Sequence, residues 1–137
     1  MATVIGIGAE WQENRAGIRF AFSGRQPEKC EFLQQIVPVV GNRHYQLAFR
    51  YRTVGAPPGS GLRWRIMEEG IAGRKAAILA ESASLSSQEE AQGRLSFVTD
   101  VRSRLVRLNL GYERALGSTR IEGSLHLRDV QLTLQPR

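Results

Sequence analysis

The sequence predicts an all-β protein, an antiparallel β-sandwich of jelly-roll type, and three observations carry that expectation. Apolar residues recur at every second position in segment after segment, the period of a strand with one buried face. Glycine, proline and asparagine punctuate the chain between those segments. No stretch sustains the 3.6-residue period of a long helix. Residues 43–53 show the rhythm best: Tyr45, Leu47, Phe49 and Tyr51 alternate with Gln46, Ala48, Arg50 and Arg52.

Taken in order, Val4, Ile5 and Ile7 predict a first strand ending near Trp11. Ile18, Phe20 and Phe22 form a half-buried strand closed by Gly24. Residues 26–37 suit either a short helix after Pro27 or a strand buried on both faces; a strand from about Glu31 to Pro38 is preferred, before a Gly41-Asn42 turn. After the 43–53 strand, Val54–Gly61 is a loop by composition. Leu62, Trp64 and Ile66 then alternate with Arg63 and Arg65, residues 70–75 read as a turn, and 76–80 as a short strand. Ser82–Gln92 is a polar connection in which Ser86 and Glu89 read as the ends of one helical turn. Leu95 and Phe97 mark the next strand, and Val106, Leu108, Leu110 and Tyr112 another.

The last segment changes phase. Ile121, Leu125 and Leu127 are apolar at odd positions, whereas Val130, Leu132 and Leu134 are apolar at even ones. A one-residue slip turns every later side chain over, so a β-bulge is expected at Arg128-Asp129. Sandwiches use such bends where a strand passes from one sheet to the other, and that is the expectation here.

A chain of 137 residues is expected to form one domain, and none of its segments approaches the length of a membrane-spanning helix. The lone Cys30 excludes an internal disulfide. The net charge of +6 raises nucleic acid as a partner, but the arginines are scattered, without a block of like charge, and that reading is set aside. Residues 1–8 lack the basic region and apolar run of a signal peptide, leaving either a cytoplasmic protein or a module of a longer chain.

Catalytic constellations are missing from the sequence. His44 and His126, the only histidines, sit in no metal-binding spacing, and Gly59-Ser60-Gly61 is not a nucleophile elbow. The carboxylate pairs Glu68/Glu69 and Glu89/Glu90 lie in or beside turns, so a non-enzymatic role is expected. The aromatic residues share phase with leucines and isoleucines, which assigns them to the core rather than to a sugar platform. The polar phase is more suggestive. Arg50, Arg52, Arg63, Arg65, Arg107, Asn109, Glu122 and His126 each face away from the apolar side of their own strand. If those strands share a sheet they form one broad arginine-rich face, whose guanidinium forks suit carboxylates, sulfates or vicinal hydroxyls. The alternative is a solvated face of arginines paired with acids. A second candidate is the loop 111–120, with Tyr112 and Arg114.

Three stretches are similar to the galactose-binding-domain-like carbohydrate-binding modules, the jelly-roll domains appended to bacterial polysaccharide-degrading enzymes. They are residues 37–53 with their Tyr-x-Leu-x-Phe pattern, the strand opened by Gly93 followed by 104–112, and Leu125-His-Leu-Arg-Asp-Val-Gln-Leu132. The resemblance spans about residues 17–134. It implies binding of a glycan or polysaccharide, attachment to other domains of a parent protein, and an extracellular, cell-surface or periplasmic location. It implies no organic cofactor. Members commonly hold a structural calcium through an acid in the closing region, a position that Asp129 occupies here. Arg128 replaces the neighbouring acid and opposes a dication, so the preferred reading has Asp129 pairing with an arginine or capping the bulge. The tryptophan that members often carry before the Gly93 strand is absent as well. The expected function is a non-catalytic carbohydrate-binding-like module, its ligand a polysaccharide with acidic groups. The alternative is a structural or protein-interaction domain that has lost sugar binding.

Overall fold

A computed structural model describes residues 4, 6–12, 17–69 and 77–136, and for Trp11 and Gln12 the backbone alone. Among these residues nine strands make two layers: β1 (Ile7–Gln12), β2 (Gly17–Ser23), β3 (Lys29–Pro38), β4 (His44–Val54), β5 (Leu62–Glu69), β6 (Ile78–Glu81), β7 (Ala91–Val98), β8 (Leu105–Glu113) and β9 (Glu122–Leu134). One sheet has the order β1-β2-β9-β4-β7 and the other β3-β8-β5-β6, with every named pair antiparallel. No helix occurs among the described residues. The turn expected over 70–75 lies outside them.

The apolar phases meet between the layers. Phe20 and Phe22 of β2 contact Phe32 of β3 edge-on at 4.7 and 5.4 Å, and Phe49 of β4 meets Trp64 of β5 at 5.6 Å. Tyr45, Phe49, Trp64 and Tyr112 are all buried, as their phase predicts. A buried phenol needs a partner. The Tyr45 hydroxyl accepts from the Val40 N–H at 2.8 Å, and that of Tyr112 from the Ile121 N–H at 3.2 Å.

Two expectations are corrected. Residues 86–89 form no helical turn. The Ser86 hydroxyl instead donates to the Ala56 carbonyl, and the Ser87 N–H donates to Thr53 Oγ1, so the connection is stitched flat along the β4 end of the sandwich. Within residues 26–37 a strand does form, from Lys29 on, but β3 lies at the edge of its sheet with one side open, and Ile36 is exposed.

The bulge is present: Ala48 of β4 opposes Gln131 and Arg50 opposes Arg128, leaving two residues of β9 against Phe49 alone. Asp129 takes the extra position, with a φ of 54°. The strand nonetheless stays in its own sheet, pairing with β4 from Ser124 to Leu134. The extra residue absorbs the phase change, so Leu132, opposite Leu47, and Leu134, opposite Tyr45, keep the inward side that Leu125 and Leu127 hold. No passage between sheets is needed.

Candidate functional site

Strand order divides the predicted arginine face in two. Arg63, Arg65, Arg107 and Asn109 lie on β5 and β8, on the outer side of the four-stranded sheet; Arg50, Arg52, Glu122 and His126 lie on β4 and β9, on the outer side of the other. Two further candidates belong to neither face. Tyr112 is a core residue whose hydroxyl is already engaged. Arg114 lies beyond β8 and ties its loop shut, donating to the Ser118 carbonyl at 2.9 Å and to Glu28 at 2.7 Å.

The four-stranded sheet carries the more structured face. Arg63 and Arg65 project from the same side of β5, between Glu81 of β6 and Glu113 of β8. Arg63 Nε lies 2.6 Å from Glu81 and its Nη2 3.2 Å from Glu113; Arg65 Nη2 lies 3.2 and 3.6 Å from the same two carboxylates. Arg107 pairs with Glu69 at 2.5 Å. Register places Lys29, Arg63, Arg65 and Arg107 on this side with Glu31, Glu69, Glu81 and Glu113, so cations and anions balance. Sequence reasoning points to Glu113 beside its loop and reads Glu69 as a surface acid, but it misses Glu31 and Glu81, whose outward phase on β3 and β6 is the available signal.

Asn109 is the unusual member. It is on the outward phase of β8, between Gln34 of β3 and Arg65 of β5, yet it is 1% exposed. Neither end of its amide has a hydrogen-bond partner among the described residues. Beside it, Gly111 leaves a gap in the row of side chains, and a Cβ there would come within 2.8 Å of the Cys30 carbonyl. The result is a small recess of about 30 Å³ floored by Asn109 and Gly111 and walled by Arg63, Arg65, Glu31 and Glu113. Such a site offers an amide, which both donates and accepts, ringed by planar charged groups that are already oriented by their partners. Cys30, half-buried at the same place, has its thiol pushed up by desolvation and is held in the neutral form.

The opposite face is more open. Arg50 is 3.7 Å from Asp129 with both side chains about half exposed, and Arg52 Nη2 is 3.3 Å from His126 Nε2. Arg128 grips Glu90 through Nε and Nη2, the latter at 2.6 Å, and that hydrogen bond raises the guanidinium further above its usual range. For a calcium ion the residues do not fit. Asp129 faces arginines, and among the described residues no three His, Cys, Asp or Glu side chains are grouped to hold a metal.

Comparison with known proteins comes from structure alone. No protein-family model and no curated protein sequence matches the chain. A family 4 carbohydrate-binding module superposes with a TM-score of 0.66 at 10% identity, over 98% of this chain and 78% of that one. The N-terminal cellulose-binding domain of a Cellulomonas fimi β-1,4-glucanase gives 0.59 at 13% identity, over 96% and 90%. A family 61 module solved with β-1,4-galactotriose gives 0.55 at 12% identity, over 97% and 86%. The chain therefore has the jelly-roll fold that these carbohydrate-binding modules share.

Proposed function

We propose that the protein is a non-catalytic carbohydrate-binding module and that its sugar site is the outer face of β8 and β5, centred on Asn109. The observation that carries this reading is the buried, unpartnered amide of Asn109 at the floor of a recess lined by pre-oriented arginines and glutamates. An unpaired buried amide is costly, so the group calls for a hydroxyl partner from outside the protein. A hydroxyl both donates and accepts, and so complements it. The fold shared with modules described as binding cellulose or β-1,4-galactotriose supports the same reading.

Among the described residues, the balance of four cations by four anions on this face favours a neutral sugar over the acidic glycan that the arginine forks suggest by themselves. The chain is further proposed to act as one module of a larger secreted or surface protein. A structure comprising a family 22 module and xylanase modules, in which the matching part takes up 25% of the chain, supports this.

Affinity electrophoresis through gels containing β-glucan, xylan, galactan or polygalacturonate tests the assignment. The expected result is retardation by a neutral polysaccharide that is lost in Asn109→Ala and in the Arg63→Ala/Arg65→Ala double variant, and that changes little between about 50 and 500 mM salt. Unchanged retardation in those variants overturns the site. Retardation by polygalacturonate alone, abolished by salt, overturns the neutral-sugar reading, and none by any polymer overturns the function.

A further inference from the structure

A second cavity lies inside the sandwich and is separate from the Asn109 recess. Among the described residues β2 begins at Gly17, opposite Arg128, so the part of β9 beyond the bulge has no β2 neighbour. The layers are left open there, and a cleft of about 270 Å³ enters between them. Its walls are apolar: Ile18 of β2, Leu33 of β3, Trp64 of β5, Leu108 of β8, and Leu127 and Val130 of β9. Gln35, Arg128 and Asp129 complete the rim; the bulge brings Asp129 there, with its carboxylate turned toward Arg50.

Trp64 makes this more than a packing gap. The residue is 2% exposed, and its indole Nε1 is buried without a hydrogen-bond partner among the described residues. Buried indole N–H groups ordinarily find an acceptor. Phe49, which contacts the ring from within the core, and the aliphatic residues of the wall offer it none. The volume is at the small end of the range for small-molecule pockets, and the mix of apolar wall and few polar groups is typical of them.

We propose that this cleft binds a small, flat, apolar molecule carrying one hydrogen-bond acceptor, which takes the Trp64 N–H. The sugar face lies on the outer side of the four-stranded sheet, so this site is independent of it. The ligand class is a neutral aromatic heterocycle or aryl ketone rather than a sugar, because hydroxyl groups would be stranded against Ile18, Leu33 and Leu108.

Isoquinoline and naphthalene are matched probes, the same size with and without an acceptor nitrogen. Each is titrated at pH 8 while the Trp64 indole resonance is followed by ¹H–¹⁵N NMR. Isoquinoline is expected to move that resonance downfield at saturation and to bind about tenfold more tightly than naphthalene. Trp64→Phe, followed instead through the Leu108 and Val130 backbone amides in the same spectra, should reduce that ratio to about one, and Val130→Trp, a partly exposed position on the wall, should block both probes without unfolding the chain. Failure of both probes to shift the Trp64 resonance overturns the proposal. So does a preference for isoquinoline that survives Trp64→Phe, or binding that survives Val130→Trp.

Discussion

Deleting Asp129 should unseat the end of the protein, because that residue alone reconciles the two apolar phases of β9. Without it, Val130, Leu132 and Leu134 turn outward and Gln131 and Thr133 turn in. Val130 and Leu134 are 42% and 40% exposed in the native structure, and Leu132 is half-buried, so each forfeits part of its burial. At about 1.5–3 kcal/mol for complete burial of such side chains, the three partial losses come to about 4 kcal/mol. A compact denatured state trims that to about 3 kcal/mol. Release of the left-handed conformation at Asp129 returns about 1 kcal/mol. The net loss is about 2 kcal/mol before any cost of burying Gln131 and Thr133, which in a chain of this size lowers Tm by about 8 °C. Thermal denaturation followed by circular dichroism measures it. Asp129→Gly is the control: the residue count is kept, the positive φ becomes easy, and the half-exposed pair with Arg50 that is lost is worth at most about 1 kcal/mol. A deletion variant melting within about 2 °C of the parent would refute the account of the bulge.

Other outcomes follow from single contacts. Gly93→Ala should cost about 1–3 kcal/mol in chemical denaturation, because its Cβ would lie 2.3 Å from the Phe49 ring and that ring has no room to move beside Trp64; an unchanged midpoint would count against the tight packing. Cys30, its thiol held neutral by burial, should react with a disulfide reagent at pH 7.5 more slowly than a free cysteine peptide. Because its folded value is raised, the associated stability is fully present below the unfolded thiol's pKa, about 8.5, and is lost as pH rises through the folded one. Cys30→Ser should therefore flatten any alkaline decline in stability, and an identical decline in both proteins would assign it elsewhere.

The strands were legible because period-two alternation is a local property, carried by the chain whatever lies beside it. Even the bulge could be read, since a phase change in Leu125–Leu134 is visible without knowing any partner. Its consequence was not: whether a bulged strand changes sheet depends on the neighbours that continue beside it, and here β4 does. The division of the arginines has the same origin. Phase tells which side of its own strand Arg50 or Arg63 occupies, but only strand order tells which sheet that side belongs to. Asn109 is legible as an outward polar residue, and its burial is not, because Arg63, Arg65 and Glu81, which with Glu113 close the recess over it, come from β5 and β6. The Trp64 cleft is hidden from the sequence for a related reason. Residues in phase with the core were assigned to solid packing, and an opening between layers leaves no periodic trace.

The position of β9 gives the molecule an uneven mechanical response. It lies between β2 and β4, hydrogen-bonded on both sides, whereas β1 is fastened to β2 alone at the rim. A pull on the C-terminal side loads the β4 ladder in shear along its length and the β2 ladder from Arg128 back, reinforced by the Arg128–Glu90 clasp reaching over β4 toward β7. The same pull on the N-terminal side peels β1 away one rung at a time. Tethered between a wall and a moving partner, such a domain would yield first at its beginning and hold longest at its end.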